Sequence, residues 1–488
     1  MAICEECGQR TRVEGPQTVD ELKTEIEHVE TLMQSLATHR SGLRQRINSL
    51  APISRLPPEI LLLVFTHCLS PAIATTPLFL GAICARWRAL AWGTPLLWSK
   101  LVLRVSRLHG PAQLRLLEAW LLRAGTLPLH IHILPWEDSD EATLQSFRSV
   151  LEVLVSRAPY WGSIECDVLP PHCHDLLRVT APGVVFAQLK RVVFRPPKGA
   201  ISTFSEPPSA MFEGDRVPVL EDVDLVGYDF SSMRLPWGRL RVFRAQFLTV
   251  VEGVGVLRMC PGLERCVLEN VYFPEPHSGG TGTGQQQQLV HAGLETLDVT
   301  LVKGAATALL DAVSLPSLRE LGLHYVGTEM PLLPVISLVS RSACVLTKFE
   351  VSRSVFGEED LVRCLEALPG LLELSVCVRE VAHPWGHVGP EVDSEGLSEG
   401  FLRRVVGGVN GTCILPGLRR FGYEGPVGCE MGVVLDVLEG RWREEGAVRL
   451  EGARVASRGM LRMEEEDAAR VEKLEREGMD ICISPFVF

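Results

Sequence analysis

A six-residue pattern, apolar-x-x-apolar-x-apolar, recurs along the chain from about Gly125 to Phe488 and constrains the fold more than any other feature. Clear copies are Leu220-Glu-Asp-Val223-Asp-Leu225, Leu263-Glu-Arg-Cys266-Val-Leu268, Leu294-Glu-Thr-Leu297-Asp-Val299, Leu318-Arg-Glu-Leu321-Gly-Leu323 and Leu371-Leu-Glu-Leu374-Ser-Val376. Weaker copies begin at Trp161, Leu189, Leu240, Leu346 and Leu418. Successive copies start 20 to 31 residues apart, except for one interval of 47. Side chains alternate across a strand, so residues four and six of each copy share one face. A strand that returns at this interval is most simply stacked beside its predecessor in a parallel sheet. Several copies carry the same lead-in, Cys260-Pro-Gly, Leu315-Pro-Ser, Leu368-Pro-Gly or Leu415-Pro-Gly, and a helical pattern such as Asp360–Leu368 separates some of them.

The spacing falls in or near the range of leucine-rich repeats. The Asn that usually follows the strand in that repeat is not systematic here, and the intervals are irregular. The expectation is therefore an irregular, curved solenoid with variable crossovers. Two insertions interrupt it. One, near 274–288, contains Gly-Gly-Thr-Gly-Thr-Gly and four glutamines; the other, near 380–411, is Gly-rich and falls in the long interval, over a loop or a degenerate repeat. Glu464–Glu477 reads as a charged helix, and Met479–Ile483 as a closing strand.

Upstream, residues 1–17 read as a flexible start and 18–51 as a helix. Val19, Leu22, Ile26, Val29, Met33, Leu36, Arg40, Leu43, Ile47 and Leu50 step by three and four throughout, which is a heptad seam. It fits a short dimerising coiled coil, or one amphipathic helix laid against its own domain. Pro52 ends it. Residues 52–103 hold two short helical patterns. Leu56-Pro57-Pro58-Glu59-Ile60 opens the first, since proline is tolerated in a first helical turn. The run to Phe65 is apolar nearly all round, so more than one side must be covered. The second carries Leu80, Ile83, Cys84, Trp87 and Leu90 on one stripe, and Leu97 and Trp98 begin an extended segment.

The chain has 48 Lys+Arg against 60 Asp+Glu, a net charge of −12, which argues against a general nucleic-acid binder. No apolar run is long enough to span a bilayer, and no membrane association is expected. The start, Met1–Gly8, lacks the basic and apolar regions of a signal peptide. The 14 cysteines have no framework spacing and read as reduced, in the cytoplasm or nucleus. Cys4-x-x-Cys7 is half a zinc site with no second pair nearby, and His172-Cys173-His174-Asp175 is too compact to face one ion, so no metal is expected. The phosphate-binding loop, the Gly-x-Ser-x-Gly elbow, the zinc-protease helix and the dinucleotide fingerprint are all missing. No catalytic residue and no cofactor is expected. Trp136, Trp161, Trp237, Trp385 and Trp442 read as edge packing in preference to anchors for a partner.

Residues 52–103 resemble an F-box, most closely that of F-box proteins of mushroom-type fungi, in which a heptad helix precedes the box and a leucine-rich-repeat-like region follows it. Gly125–Ile133 is similar to that family's first strand after the box. The resemblance implies an α/β chain: an N-terminal helix and small helical F-box, then an irregular leucine-rich-repeat-like solenoid over 104–488. It implies no enzyme. The box would bind the Skp adaptor of a Skp–cullin–F-box ubiquitin ligase. Leu56, Pro57, Glu59, Ile60, Leu63 and Phe65 would form the first contact helix. Leu80, Ile83, Cys84 and Trp87 would supply the second contact and the packing behind it, and Leu97 and Trp98 would close the box. The loop Pro71–Pro77 departs from the common animal pattern. The repeat region would recruit a target protein, whose identity the sequence leaves open; loops after the repeat strands and the two insertions are its candidate contacts. The alternative is a non-catalytic scaffold in which the box is a structural cap and the heptad helix makes a homodimer.

Overall fold

The computed structural model describes residues 2–3, 10–11, 18–68, 76–105, 110–134, 141–167, 184–195, 215–226, 234–273, 288–302, 304–326, 330–352, 356–378, 396–407, 413–443, 448–457 and 464–485. Cys4 and Cys7, the loop 71–75, the His172–Asp175 run, Trp136, Trp385 and most of both insertions lie outside them. The chain is a mixed α/β protein that divides into two compact units, residues 1–102 with 118–127, and residues 103–117 with 128–488.

In the first unit, helix α1 spans Val19–Leu50. Thr18 and Glu21 close its N-terminus as a reciprocal cap: the Glu21 N–H donates to Thr18 Oγ1 at 3.3 Å, and the Thr18 N–H donates to Glu21 Oε2 at 3.0 Å. No residue of α1 is buried, so its heptad stripe is not laid against this unit. After a 3-10 turn at Pro52–Arg55 come α2 (Pro58–His67), α3 (Thr76–Ile83), α4 (Ala85–Trp92) and a second 3-10 turn at Pro95–Trp98. Trp98 is the centre of their core. Its Nε1–H donates to the Ala91 carbonyl at 2.7 Å, while its own carbonyl accepts from Trp120 Nε1 at 2.7 Å. The Trp98 and Trp120 rings meet edge to face at 4.8 Å. Glycine is required at position 81, since a Cβ there would lie 1.8 Å from the Trp92 ring.

The second unit is built on a sheet of fourteen strands whose spatial order is their order in the chain. They are β1 (Lys100–Arg104, cut by the division after Val102), β2 (Leu129–Leu134), β3 (Trp161–Cys166), β4 (Arg191–Phe194), β5 (Asp222–Val226), β6 (Val242–Gln246), β7 (Arg265–Val271), β8 (Thr296–Val302), β9 (Glu320–Val326), β10 (Lys348–Ser352), β11 (Glu373–Cys377), β12 (Arg420–Gly425), β13 (Gly452–Ser457) and β14 (Asp480–Pro485). From β2 onward every pairing is parallel. Crossovers of one hand place the intervening helices on one face of such a sheet and leave the other open.

The repeat pattern explains the register. Position four of the copies forms one in-register ladder, Val223, Phe243, Cys266, Leu297, Leu321, Phe349, Leu374 and Phe421, every member of it buried. The residues between the apolar positions point to the open face and are mostly half-buried. The lead-in is a turn: the leading Leu N–H donates to the residue three before it, as from Leu263 to Cys260 at 3.1 Å and from Leu318, Leu371 and Leu418 to Leu315, Leu368 and Leu415 at 3.2 Å. Proline suits such a turn because it fixes φ and has no N–H to leave unpaired.

Two details go beyond the repeat pattern. The 47-residue interval adds no strand to the sheet among the described residues, because β11 pairs directly with β12; it is one long crossover containing the helix Glu399–Val405. And β13 continues the ladder through Ala453 and Val455, a copy whose small Ala453 hides it in the sequence.

Candidate functional site

Helix α2 sorts its apolar run by helical geometry. Leu61 and Phe65, four apart, share one face and are buried. Ile60, Leu63 and Val64, spaced by three and four, share another face and are exposed, Leu63 by 57%. On α3 the same division holds: Leu80 and Gly81 are buried, while Phe79 and Ile83 are exposed. Leu96, in the second 3-10 turn, is exposed as well. The first unit thus presents large apolar side chains to solvent from α2, α3 and the second 3-10 turn. Large apolar side chains left in solvent on several neighbouring elements are a feature of interaction surfaces.

The residues singled out in the sequence separate accordingly. Pro57, Glu59, Ile60, Leu63 and Ile83 are exposed, and Leu56, Cys84 and Trp87 are half-buried. Phe65, Leu80, Leu97 and Trp98 are interior, with Phe65 and Leu97 wholly inaccessible. Buried as they are, these four pack behind the exposed side chains; of them Phe65, expected in the first contact helix, is the one whose expected contact role its burial does not fit. Phe79, Val64 and Leu96 are exposed members that the sequence reading left out.

Local hydrogen bonds hold the face in shape. Arg86 of α4 donates through Nη2 to the Leu56 carbonyl at 2.7 Å and through Nη1 to the Ser54 carbonyl, tying the segment before α2 to α4. Arg88 Nε donates to the Gly81 carbonyl at 2.8 Å, tying α3 to α4. Cys84 caps α4, its Sγ accepting from the Trp87 N–H at 3.5 Å. The Trp87 ring lies 4.8 Å from that of Phe65, between the face and the core.

The second unit offers a chemically different surface. Near β2 and β3, His132 Nε2 lies 2.8 Å from Asp167 Oδ2 and 3.9 Å from Glu165 Oε1. This trio could supply three ligands to a metal ion, its ligand atoms lying within 4.8 Å of one another. The hydrogen bond to Asp167, with the two negative charges adding to it, holds the His132 pKa above its ordinary value against the opposing effect of burial. Farther along the sheet, Asp222 is bracketed by Arg191 at 3.4 Å and Arg244 at 3.2 Å, and Asp224 is paired with Arg195. Burial pushes the thiols of Cys260 and Cys364 up to about 12, so they stay protonated and unreactive. Among the described residues no helix is long and apolar enough to cross a membrane. No family model matches the chain, and no curated protein matches it.

Proposed function

We propose that the chain is the substrate-recruiting subunit of a Skp–cullin–F-box ubiquitin ligase: residues 52–103 are an F-box that binds the Skp adaptor, and the repeat region is a leucine-rich-repeat-like solenoid that holds a target protein. The observation that carries the reading is that the apolar side chains of Ile60, Leu63 and Ile83 stand in solvent on a small unit whose core holds Phe65, Leu80, Leu97 and Trp98. A unit of this size buries little surface, and an apolar face left open on it gains from a partner. The chain then acts without chemistry of its own, by raising the concentration of a target beside the ligase. Co-expression with the Skp adaptor tests it: wild type should co-elute with the adaptor, and Leu63→Asp should not while keeping its fold. Co-elution of a folded Leu63→Asp chain would remove this face as the docking site.

One observation favours a second reading, a scaffold that self-associates. Helix α1 exposes its heptad stripe from Val19 to Leu50. Sedimentation equilibrium distinguishes the two: the scaffold reading requires a dimer that Ile26→Glu dissociates, and a monomer at all concentrations contradicts it.

A further inference from the structure

Helix α1 carries heptad positions that nothing in its own unit covers. The apolar residues of its seam, from Val19 to Leu50, are each between 45% and 73% exposed. Most helical stability in a protein comes from packing an amphipathic face, and a heptad seam is packed by a second helix whose side chains enter its holes. That second helix must bring a seam of its own and charges that match those beside this one.

The charges say which helix it is. Residues 19–34 hold five acids, Asp20, Glu21, Glu25, Glu27 and Glu30, against one cation, Lys23, a net charge of −4 with histidine neutral. Residues 35–50 hold Arg40, Arg44 and Arg46 and no acid, a net charge of +3. The helix dipole favours Asp20 and Glu21 at the N-terminus, but its influence is confined to the end turns, and the last turn of α1 has no basic residue. Within one helix the segregation is unfavourable, because Glu21 with Glu25 and Arg40 with Arg44 are like charges four apart. Lys23 pairs with Asp20 at 3.4 Å, whereas Glu25, Glu30, Arg40, Arg44 and Arg46 make no ion pair among the described residues.

We infer that two copies of the chain pair through α1 as an antiparallel coiled coil, the acidic half of each helix lying against the basic half of the other. The steps between seam residues read the same from either end. Reversal about the middle of the helix therefore sets Val19 of one copy against Leu50 of the other, Leu22 against Ile47 and Ile26 against Leu43. Arg40 then falls opposite Val29 and beside Glu30, and Glu25 faces Arg46 along the flank of the seam. Lys23 and Arg44 make the one unfavourable pair, and Lys23 already has Asp20. A parallel, in-register pair would set Arg40 against Arg40, Glu25 against Glu30 and His39 against Arg44. The antiparallel interface is self-complementary and closes at two copies. The 32 residues of α1 span about 48 Å at 1.5 Å per residue, and the turn at Pro52–Arg55 follows directly, so the pair would carry its two residue 52–103 regions at opposite ends.

The proposal rests on the self-association reading of α1 and adds the direction and register of the pair. It holds whether or not residues 52–103 dock an adaptor.

Sedimentation equilibrium of the full chain at low salt tests it, with charge-reversed variants at exposed positions of α1. Wild type should be a dimer. Glu25→Arg should raise the dissociation constant by about tenfold, because two symmetry-related ion pairs become repulsive. Arg46→Glu should do the same, and the two substitutions together in one chain should restore the wild-type constant. An equimolar mixture of the two single variants should form a mixed dimer tighter than either variant forms alone. These differences should shrink as salt rises. In a parallel pair Glu25→Arg would face Glu30 and tighten the dimer. Photo-crosslinking reads the direction without relying on charge. With p-benzoylphenylalanine in place of Leu22, the crosslinked tryptic product should contain residues 47–55. Leu22 and Ile47 lie about 38 Å apart within one helix, so that link must join two copies. Tightening by Glu25→Arg, or a product joining two 13–23 peptides, would overturn the antiparallel pair and leave self-association standing. A monomer at all concentrations would overturn both.

Discussion

Leu63 and Phe65 stand two residues apart in one apolar run, and the structure gives them opposite fates. Truncating each to alanine therefore separates docking from folding. Leu63 is 57% exposed, so most of its side chain has yet to be buried. Full burial of a leucine side chain is worth about 1.5–3 kcal/mol, which leaves roughly 1–2 kcal/mol for a partner to gain at this position. Leu63→Ala should therefore weaken adaptor binding by about 5–30-fold. It should leave stability within about 0.5 kcal/mol of wild type, as for surface positions generally. Phe65 is 0% exposed and packs on Trp87. Phe65→Ala should cost about 3–5 kcal/mol of folding free energy through the cavity it leaves. Urea titration followed by tryptophan fluorescence reads the stabilities, because Trp87, Trp92 and Trp98 all lie in this unit. Calorimetric titration with the adaptor reads the affinities. Destabilisation of the Leu63 variant comparable to that of Phe65 would mean that the face is already covered within the chain. A stable Leu63 variant with undiminished affinity would mean that the adaptor docks elsewhere. Either result refutes the reasoning.

Further expectations follow from single contacts. Gly81→Ala should destabilise the first unit by about 1–3 kcal/mol, because its Cβ must displace the Trp92 ring; a thermal melt unchanged from wild type would contradict that packing. The raised pKa of His132 should appear as a late titration of its ring in NMR, and Asp167→Asn should bring it back toward the ordinary value. Because the folded value is the higher one, the stabilisation this pair contributes is complete below about pH 6.5 and is lost as pH rises through the raised pKa. A pair that stabilised the protein more at high pH than at low would have the wrong sign.

What the sequence makes legible is the part set by strict periodicity. Leu263, Cys266 and Leu268 announce a strand because they obey a period of two behind a Pro-Gly turn, and the same rule runs through Leu294, Leu318 and Leu371. It falters where size breaks the pattern, as in β13, where Ala453 sits on the apolar ladder without looking apolar enough to continue it. In α2 the run Ile60–Phe65 is apolar on every side. Composition alone therefore cannot divide Leu61 and Phe65 from Ile60, Leu63 and Val64; the packing of Trp87 and Trp98 behind them decides it. The polar face of the sheet is harder still to read, because Glu269, Asp298, Glu350 and Glu424 come from β7, β8, β10 and β12, each at an ordinary polar position of its own repeat. Two glycines between buried residues, Leu321-Gly322-Leu323 and Phe421-Gly422-Tyr423, stand on that face where the other copies carry a side chain.

The ligase reading stands on one physical event, the covering of the α2–α3 face by the adaptor. Co-expression of the two chains followed by size-exclusion chromatography with light scattering measures it directly. A stoichiometric complex, lost in a Leu63→Asp chain that keeps wild-type tryptophan fluorescence, is the expected result. A well-folded wild-type chain that elutes free of the adaptor would contradict it.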